Sequence, residues 1–243
     1  RVLWYNNKYF VENRQKGELA VFLNYLQIVN YKNLSSTRFS FTEGVNTVIG
    51  ENDSGKSNAM TALRILLDDT YYYNTKRLKE NDFSDLLSNW KGHWIILSAV
   101  FGKITSEDKE TEVCAGIIPE KDNEDFLKSY IKSGTDNIGV ISLFIRPQKQ
   151  VRKKLSEIAD IVEFEKGRNK IKLSDYEFYY TSRSQTDFTN KDIYKSIVGD
   201  LENGICSNPD DDDDEVLGCK LNIADVQDHI SVVFIDALRD VAN

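Results

Sequence analysis

The sequence predicts an α/β fold in which a strand-loop-helix lobe adjoins an antiparallel β-rich subdomain. Three observations predict it. The apolar run 45–49, VNTVI, leads into a loop that begins and ends in glycine, 50–55, GENDSG. Beyond that loop Met60, Leu63 and Leu67 recur at helical spacing, with Ala59, Ala62 and Leu66 beside them, so one face of a helix can pack on a sheet. Finally, strand-like runs rich in β-branched and aromatic residues recur through the remainder of the chain.

Taken in order, residues 1–20 form an N-terminal extension. Its RVLWYNNKYFVEN reads either as two strands around Asn6-Asn7 or as a loosely packed piece. Residues 21–105 hold the first part of the core: LAVFLNYLQIV, STRFSF and VNTVI are strands, with Gly44 turning into the third. A helix then runs from Lys56 to Leu67 and ends at Asp68 and Asp69, and residues 94–105, WIILSAVFGKIT, return as a strand. In the insertion, 106–220, the strands are TEVCAGII, IGVISLFIR and KIKLSDYEFYYTS, and the helices are NEDFLKSYIKS and NKDIYKSIVGDLEN. Six successive acids, Asp210 to Glu215, make a solvated loop within it, without the glycine and terminal glutamate spacing of a calcium-binding EF-hand. Residues 221–243 carry a returning strand.

With 243 residues the chain can bury a sizeable core without disulfide or metal staples. No apolar stretch approaches the roughly 20 residues of a membrane span. Three cysteines at wide spacing suit neither a disulfide framework nor a zinc site, so the expected compartment is the cytoplasm. The first residues lack the basic and apolar regions of a signal peptide, and the only methionine is Met60, which leads to the expectation of a piece of a longer protein. A net charge of −8 gives no overall field toward DNA, so any nucleic-acid contact must be local. The local candidate is RPQKQVRKK, Arg146 to Lys154, where Lys149, Arg152, Lys153 and Lys154 would meet phosphates from one face.

Gly50, Glu51, Asn52, Asp53, Ser54, Gly55, Lys56 and Ser57 satisfy the phosphate-loop pattern G-x-x-x-x-G-K-[ST] between an apolar strand and a helix. Backbone N–H groups of such a loop wrap phosphates, and the helix dipole adds partial positive charge at the same place. Lys56 would reach the β- and γ-phosphates of ATP, and the Ser57 hydroxyl would coordinate Mg²⁺. Asn58 follows directly.

The run Phe22 to Leu67 resembles the N-terminal segment of ABC-type ATPases of the RecF, SMC and OLD kinds. Ile28 to Lys32, Phe39 to Phe41 and Gly44 to Asn58 carry the likeness, matching I-x-N-Y-K, F-x-F and G-x-N-x-I-x-G-E-N-x-x-G-K-S-N. Asp53 stands where many such loops have glycine, and aspartate tolerates the left-handed conformation better than most side chains. ISVVFIDALRD, Ile230 to Asp240, looks like the segment that OLD-family ATP-dependent endonucleases carry before their helical arm. The resemblance implies the N-terminal lobe of an ABC-type ATPase with ATP and Mg²⁺ as cofactors. It also implies a homodimer or higher oligomer sandwiching ATP, DNA as the target of the full-length protein, and a possible partner defence protein. The signature motif, Walker B and a Toprim nuclease would lie beyond residue 243.

On the same resemblance Lys32 or Arg38 would help hold phosphate, and Gln148, preferred over Gln150 and Gln185, would sense Mg²⁺. A second reading makes Asp236 a Walker B aspartate, although Ala237 stands where the water-activating glutamate belongs. Neither His93 nor His229 follows a Walker B strand, and Ser133-Gly134 has the wrong neighbours for a signature motif. The function expected is an ATP-driven dimer whose closure controls DNA cleavage in anti-phage defence. The alternatives are an SMC- or RecF-like repair or chromosome-maintenance ATPase without a nuclease, and a nucleotide-dependent assembly module with negligible turnover.

Overall fold

The computed structural model describes residues 2–5, 8–11, 22–51, 53–68, 78–102, 139–222 and 232–233. Its central element is a six-stranded sheet in the order β4-β3-β5-β6-β7-β8, every neighbouring pair antiparallel. The strands are β3 (Phe22–Tyr31), β4 (Leu34–Ser40), β5 (Ile95–Gly102), β6 (Gly139–Pro147), β7 (Tyr176–Ser182) and β8 (Cys219–Lys220). Strands from both sides of residue 105 share this one sheet. Near the N-terminus, β1 (Val2–Tyr5) and β2 (Lys8–Val11) pair antiparallel with Tyr5 opposite Lys8, as the two-strand reading expects. The returning strand β9 (Val232–Val233) joins β1 in parallel.

Register sorts the six-stranded sheet into two chemically different faces. Ile28, Leu97, Leu143 and Tyr180 align across four strands, and the Tyr180 hydroxyl donates to the carbonyl of Ile65 at 3.3 Å. That contact seats helix α1 (Lys56–Leu67) on this face, where Ala59, Ala62, Leu63, Leu66 and Leu67 are buried at the predicted helical spacing. Asp68 ends the helix in extended conformation and pairs with Arg64 at 3.2 Å.

One residue out of step, Gln27, Ser98, Ser142 and Thr181 form a buried polar row on the opposite face. Each finds a partner, as burial demands. Gln27 donates to the Thr186 carbonyl at 3.3 Å and accepts from the Phe188 N–H at 2.8 Å; Ser98 and Ser142 bond each other at 2.8 Å; Thr181 donates to the Leu217 carbonyl at 2.6 Å. The row therefore fastens the 183–188 loop and the end of α5 (Asp214–Leu217) to the sheet. Phe188 seals the layer edge-on against Phe144, centroids 5.2 Å apart.

Three further helices are α2 (Lys149–Ser156), α3 (Ile161–Asn169) and α4 (Lys191–Val198). Asp160 caps α3 by accepting from the Val162 and Glu163 N–H groups, and Asn190 caps α4 through Asp192 N–H. Gly199, at φ 104, ends α4 five residues short of the expected span, in a conformation that side chains rarely adopt.

Several expectations need correction. Residues 45–49 are not a strand: only Thr47 stands at a bridge, and Val45 and Ile49 are 53% and 88% exposed, so the apolar run has no ladder among the described residues. The last insertion strand begins at Tyr176 rather than Lys170, because Asp175 accepts from Lys172 N–H at 2.8 Å and folds Leu173–Asp175 into a 3₁₀ turn. The acidic tract is not simply solvated. Asp212 receives Arg152 through two contacts, 2.9 and 3.0 Å, and Arg146 at 3.3 Å, while Asp210 meets Lys149 at 2.9 Å and Lys153 at 2.5 Å. TEVCAGII, NEDFLKSYIKS and Asp236 lie outside the described residues, as does Asn52.

Candidate functional site

The site is assembled where the β3–β4 hairpin meets the N-terminus of α1. Only Lys32 and Asn33 join the two strands, and Lys32 takes the positive φ, 51°, that so short a connection needs. Asn33 then reaches across to the glycine loop. Its Nδ2 donates to the Asp53 carbonyl at 2.8 Å, and its Oδ1 accepts from Asn58 Nδ2 at 2.9 Å. One side chain of the hairpin thus fixes both the loop and the first turn of the helix.

Loop geometry follows from two left-handed residues. Asp53 has φ 64°, the conformation its side chain tolerates, and Gly55 has φ 91° at the position capping α1. A Cβ on Gly55 would lie 2.7 Å from Leu34 Cδ2 and 3.0 Å from Asn33 Oδ1, so the residue is required for close approach as well as for φ. At Gly50 a Cβ would come within 2.8 Å of Ser54 Oγ. The loop is a cradle of backbone that side chains would fill.

Lys56 curls over this cradle. Its ammonium donates to the Gly50 carbonyl at 2.5 Å, to the Glu51 carbonyl and to Ser54 Oγ at 3.2 Å. No acidic residue occupies the first turn of α1, so nothing there offsets the partial positive charge of the helix end. Glu51, Asp53, Ser54 and Ser57 are exposed, and Gly55 is buried. A backbone cradle, an unopposed helix N-terminus, a lysine at its lip and a serine hydroxyl next to it form the donor set that a nucleotide phosphate and its Mg²⁺ require.

The other candidates are more scattered. Lys32 sits on the hairpin turn beside the loop, its ammonium 5.5 Å from the Tyr31 ring centroid. Arg38, further along β4, stacks its guanidinium 3.7 Å from the Tyr25 ring centroid. Gln148 follows β6 at the same end of the sheet as the loop, because β3, β5 and β6 alternate in direction. It lies two strands from β3, roughly 10 Å at ordinary strand spacing. Its carboxamide turns to the Ser174 carbonyl at 3.4 Å. Asn33 is the residue sequence reasoning missed; its signal was an asparagine in a two-residue turn just before the second strand.

The proposed DNA-contact segment is already engaged. Arg152, 2% exposed, lies over Trp94 with Arg146; Asp212 contacts both guanidiniums, and Glu177 pairs with Arg146 at 3.0 Å. Lys153 and Lys149 beside Asp210 draw its carboxyl down to about 2. Among the described residues no group of three metal-ligating side chains converges, and no helix is long and apolar enough to cross a membrane.

Comparison with known proteins matches residues 22–226 to the AAA ATPase domain family. A 46-residue segment is 44% identical to the DNA replication and repair protein RecF of Geobacillus thermodenitrificans (strain NG80-2) and to that of Geobacillus kaustophilus (strain HTA426). The same protein of Bacillus cytotoxicus is 41% identical over 46 residues. These matches cover 19% of this chain and 12% of each relative.

Proposed function

This chain belongs to the AAA ATPase domain family, and we propose that it binds and hydrolyses ATP as the ATPase part of an OLD-like DNA endonuclease acting in anti-phage defence. The observation that carries the nucleotide site is the cradle at Gly50–Gly55 with Lys56 folded over it. Loop N–H groups and the α1 N-terminus would hold the β- and γ-phosphates, Lys56 would exchange its carbonyl partners for phosphate oxygens, and Ser57 would hold Mg²⁺. The metal supplies charge neutralisation when bound. Asn33 keeps the cradle open through Asp53 and Asn58. In this reading nucleotide binding closes a dimer, and closure licenses cleavage by a nuclease elsewhere in the full protein.

The RecF relatives favour a second reading, a DNA repair ATPase without nuclease. One experiment separates the two. Mg-ATP binding, turnover and plasmid cleavage are measured on the full-length protein beside Lys56→Ala. The OLD-like reading expects wild type to bind, turn over and cut, with all three lost in the variant. Turnover stimulated by DNA without cleavage would support the repair reading, and ATP binding unchanged in Lys56→Ala would overturn the nucleotide site itself.

A further inference from the structure

A cavity of about 310 Å³ opens on the face of the sheet opposite α1, behind the β3–β4 hairpin. Its walls are apolar, with Val29 and Phe188 toward the sheet and Leu86 and Leu87 on the flank. Leu86 is 77% exposed at its lip. Polar groups also reach it, among them Asp200, Lys191, Lys195, His93, 9% exposed, and Glu202, whose side chain is 58% exposed.

The hydrogen bonding of His93 leaves one nitrogen without a partner. Nδ1 lies 3.1 Å from the Tyr194 hydroxyl, which also accepts from the Trp94 N–H at 3.0 Å. Nε2 is buried with no hydrogen-bond partner among the described residues. Its nearest acid, Glu202 Oε1, stands 3.6 Å away, beyond hydrogen-bond reach. Burial, and then the Arg168 guanidinium, push His93 down to about 4, so the ring is neutral near pH 7. The tautomer that carries its proton on Nδ1, toward Tyr194, leaves Nε2 as an acceptor beside a carboxylate, and it is the tautomer a donor ligand would select. In that tautomer the two acceptors stand side by side, and a ligand presenting two adjacent donors from the cavity can satisfy both.

The charge balance says which donors. Arg168 already lies against Glu202 at 3.4 Å, and Ser88 donates to the same carboxylate at 3.2 Å. Asp200 of the lining is paired with Lys195 at 2.9 Å, and a further cation would meet Arg168 and Lys191. A neutral group with adjacent N–H donors would satisfy both acceptors, and the apolar walls suit a flat ring.

We propose that this cavity is a binding site for a small neutral heterocycle bearing two adjacent N–H donors, of which the guanine edge is the model, with Glu202 and His93 Nε2 as the reading groups and Leu86, Leu87 and Phe188 as the walls. It is separate from the glycine loop, which lies on the turn of the same hairpin, and it does not depend on the ATPase reading.

Guanosine, which carries no phosphate for the glycine loop, is the probe. Titration calorimetry on the full-length protein compares guanosine with inosine, which lacks the exocyclic amine, and repeats guanosine on Glu202→Gln, His93→Phe and Lys56→Ala. Saturable guanosine binding is expected, with inosine and Glu202→Gln each weaker by about tenfold or more, the scale of a hydrogen bond to a charged group. His93→Phe abolishes binding and Lys56→Ala leaves it unchanged. Absence of guanosine binding up to its solubility overturns the proposal, as does equal binding of guanosine and inosine by wild type, a comparison that needs no variant to fold. Loss of guanosine binding in Lys56→Ala would place the nucleoside in the glycine loop instead, and equally overturn it.

Discussion

Asp53 and Asn33 mark what single residues do and do not disclose. The left-handed φ at Asp53 was legible, since the loop pattern usually has glycine there and aspartate is a side chain that accepts the same conformation. Asn33 was not, because its two hydrogen bonds go to residues 20 and 25 positions away and depend on how the hairpin faces the helix. His93 was legible only as a histidine. Its depression to about 4 arises from burial against Tyr194, Trp94 and Arg168, which three separate segments bring together. The unfolded chain has the ordinary histidine value of 6.5, so between pH 6.5 and about 4 it binds the proton that the folded chain refuses. His93 therefore stabilises the fold fully above pH 6.5 and loses that contribution as pH falls, by up to about 1.4 kcal/mol per unit. Urea unfolding at intervals from pH 7 to 4.5 should show a slope that His93→Gln flattens; identical slopes would mean the imidazole is solvated.

At the scale of elements, the helix α1 was read correctly because its apolar period needs no tertiary information, whereas α2 and α3 escaped notice. Both are short, and α2 has only Arg152 and Leu155 buried. The acidic tract failed for a related reason. Composition treats its members as equivalent, yet Asp210 faces two lysines, Asp212 contacts two buried arginines, and Asp213 caps α5 by accepting from Glu215 N–H. Removing one half of a buried ion pair leaves an uncompensated charge, a loss of about 3 kcal/mol or more. Asp212→Ala should therefore lower the melting temperature by many degrees, while Asp211→Ala, an exposed neighbour, changes stability by less than about 0.5 kcal/mol. Similar melting curves for the two would show that Glu177 and the Pro147 carbonyl suffice to hold Arg146 and Arg152.

For the whole molecule, strand alternation and the central helix gave the α/β class, but the two faces of the sheet emerge only from register. The polar row depends on Gln27, Ser98, Ser142 and Thr181 aligning across strands far apart in sequence. No single strand announces it. Ser142→Ala should cost about 1–2 kcal/mol by leaving the buried Ser98 hydroxyl unpaired, and Ser98→Ala should cost about the same, whereas the double variant should lose less than the sum. Strict additivity in chemical denaturation would separate the two hydroxyls. The run at 45–49 shows the opposite limit: its strand-like composition is unmistakable, and the partner a ladder needs is not among the described residues.

The two-residue connection of β3 to β4 bears on how the chain acquires its glycine loop. Other neighbours in the six-stranded sheet are separated by dozens of residues and must wait for large loops to close, which is slow and entropically costly. The β3–β4 ladder needs no such search and can form in microseconds. Asn33 lies in its turn, so the foothold of the glycine loop rests on the piece of sheet able to assemble earliest. As the chain leaves the ribosome, the scaffold for the glycine loop can be in place before β5 to β8 have been made.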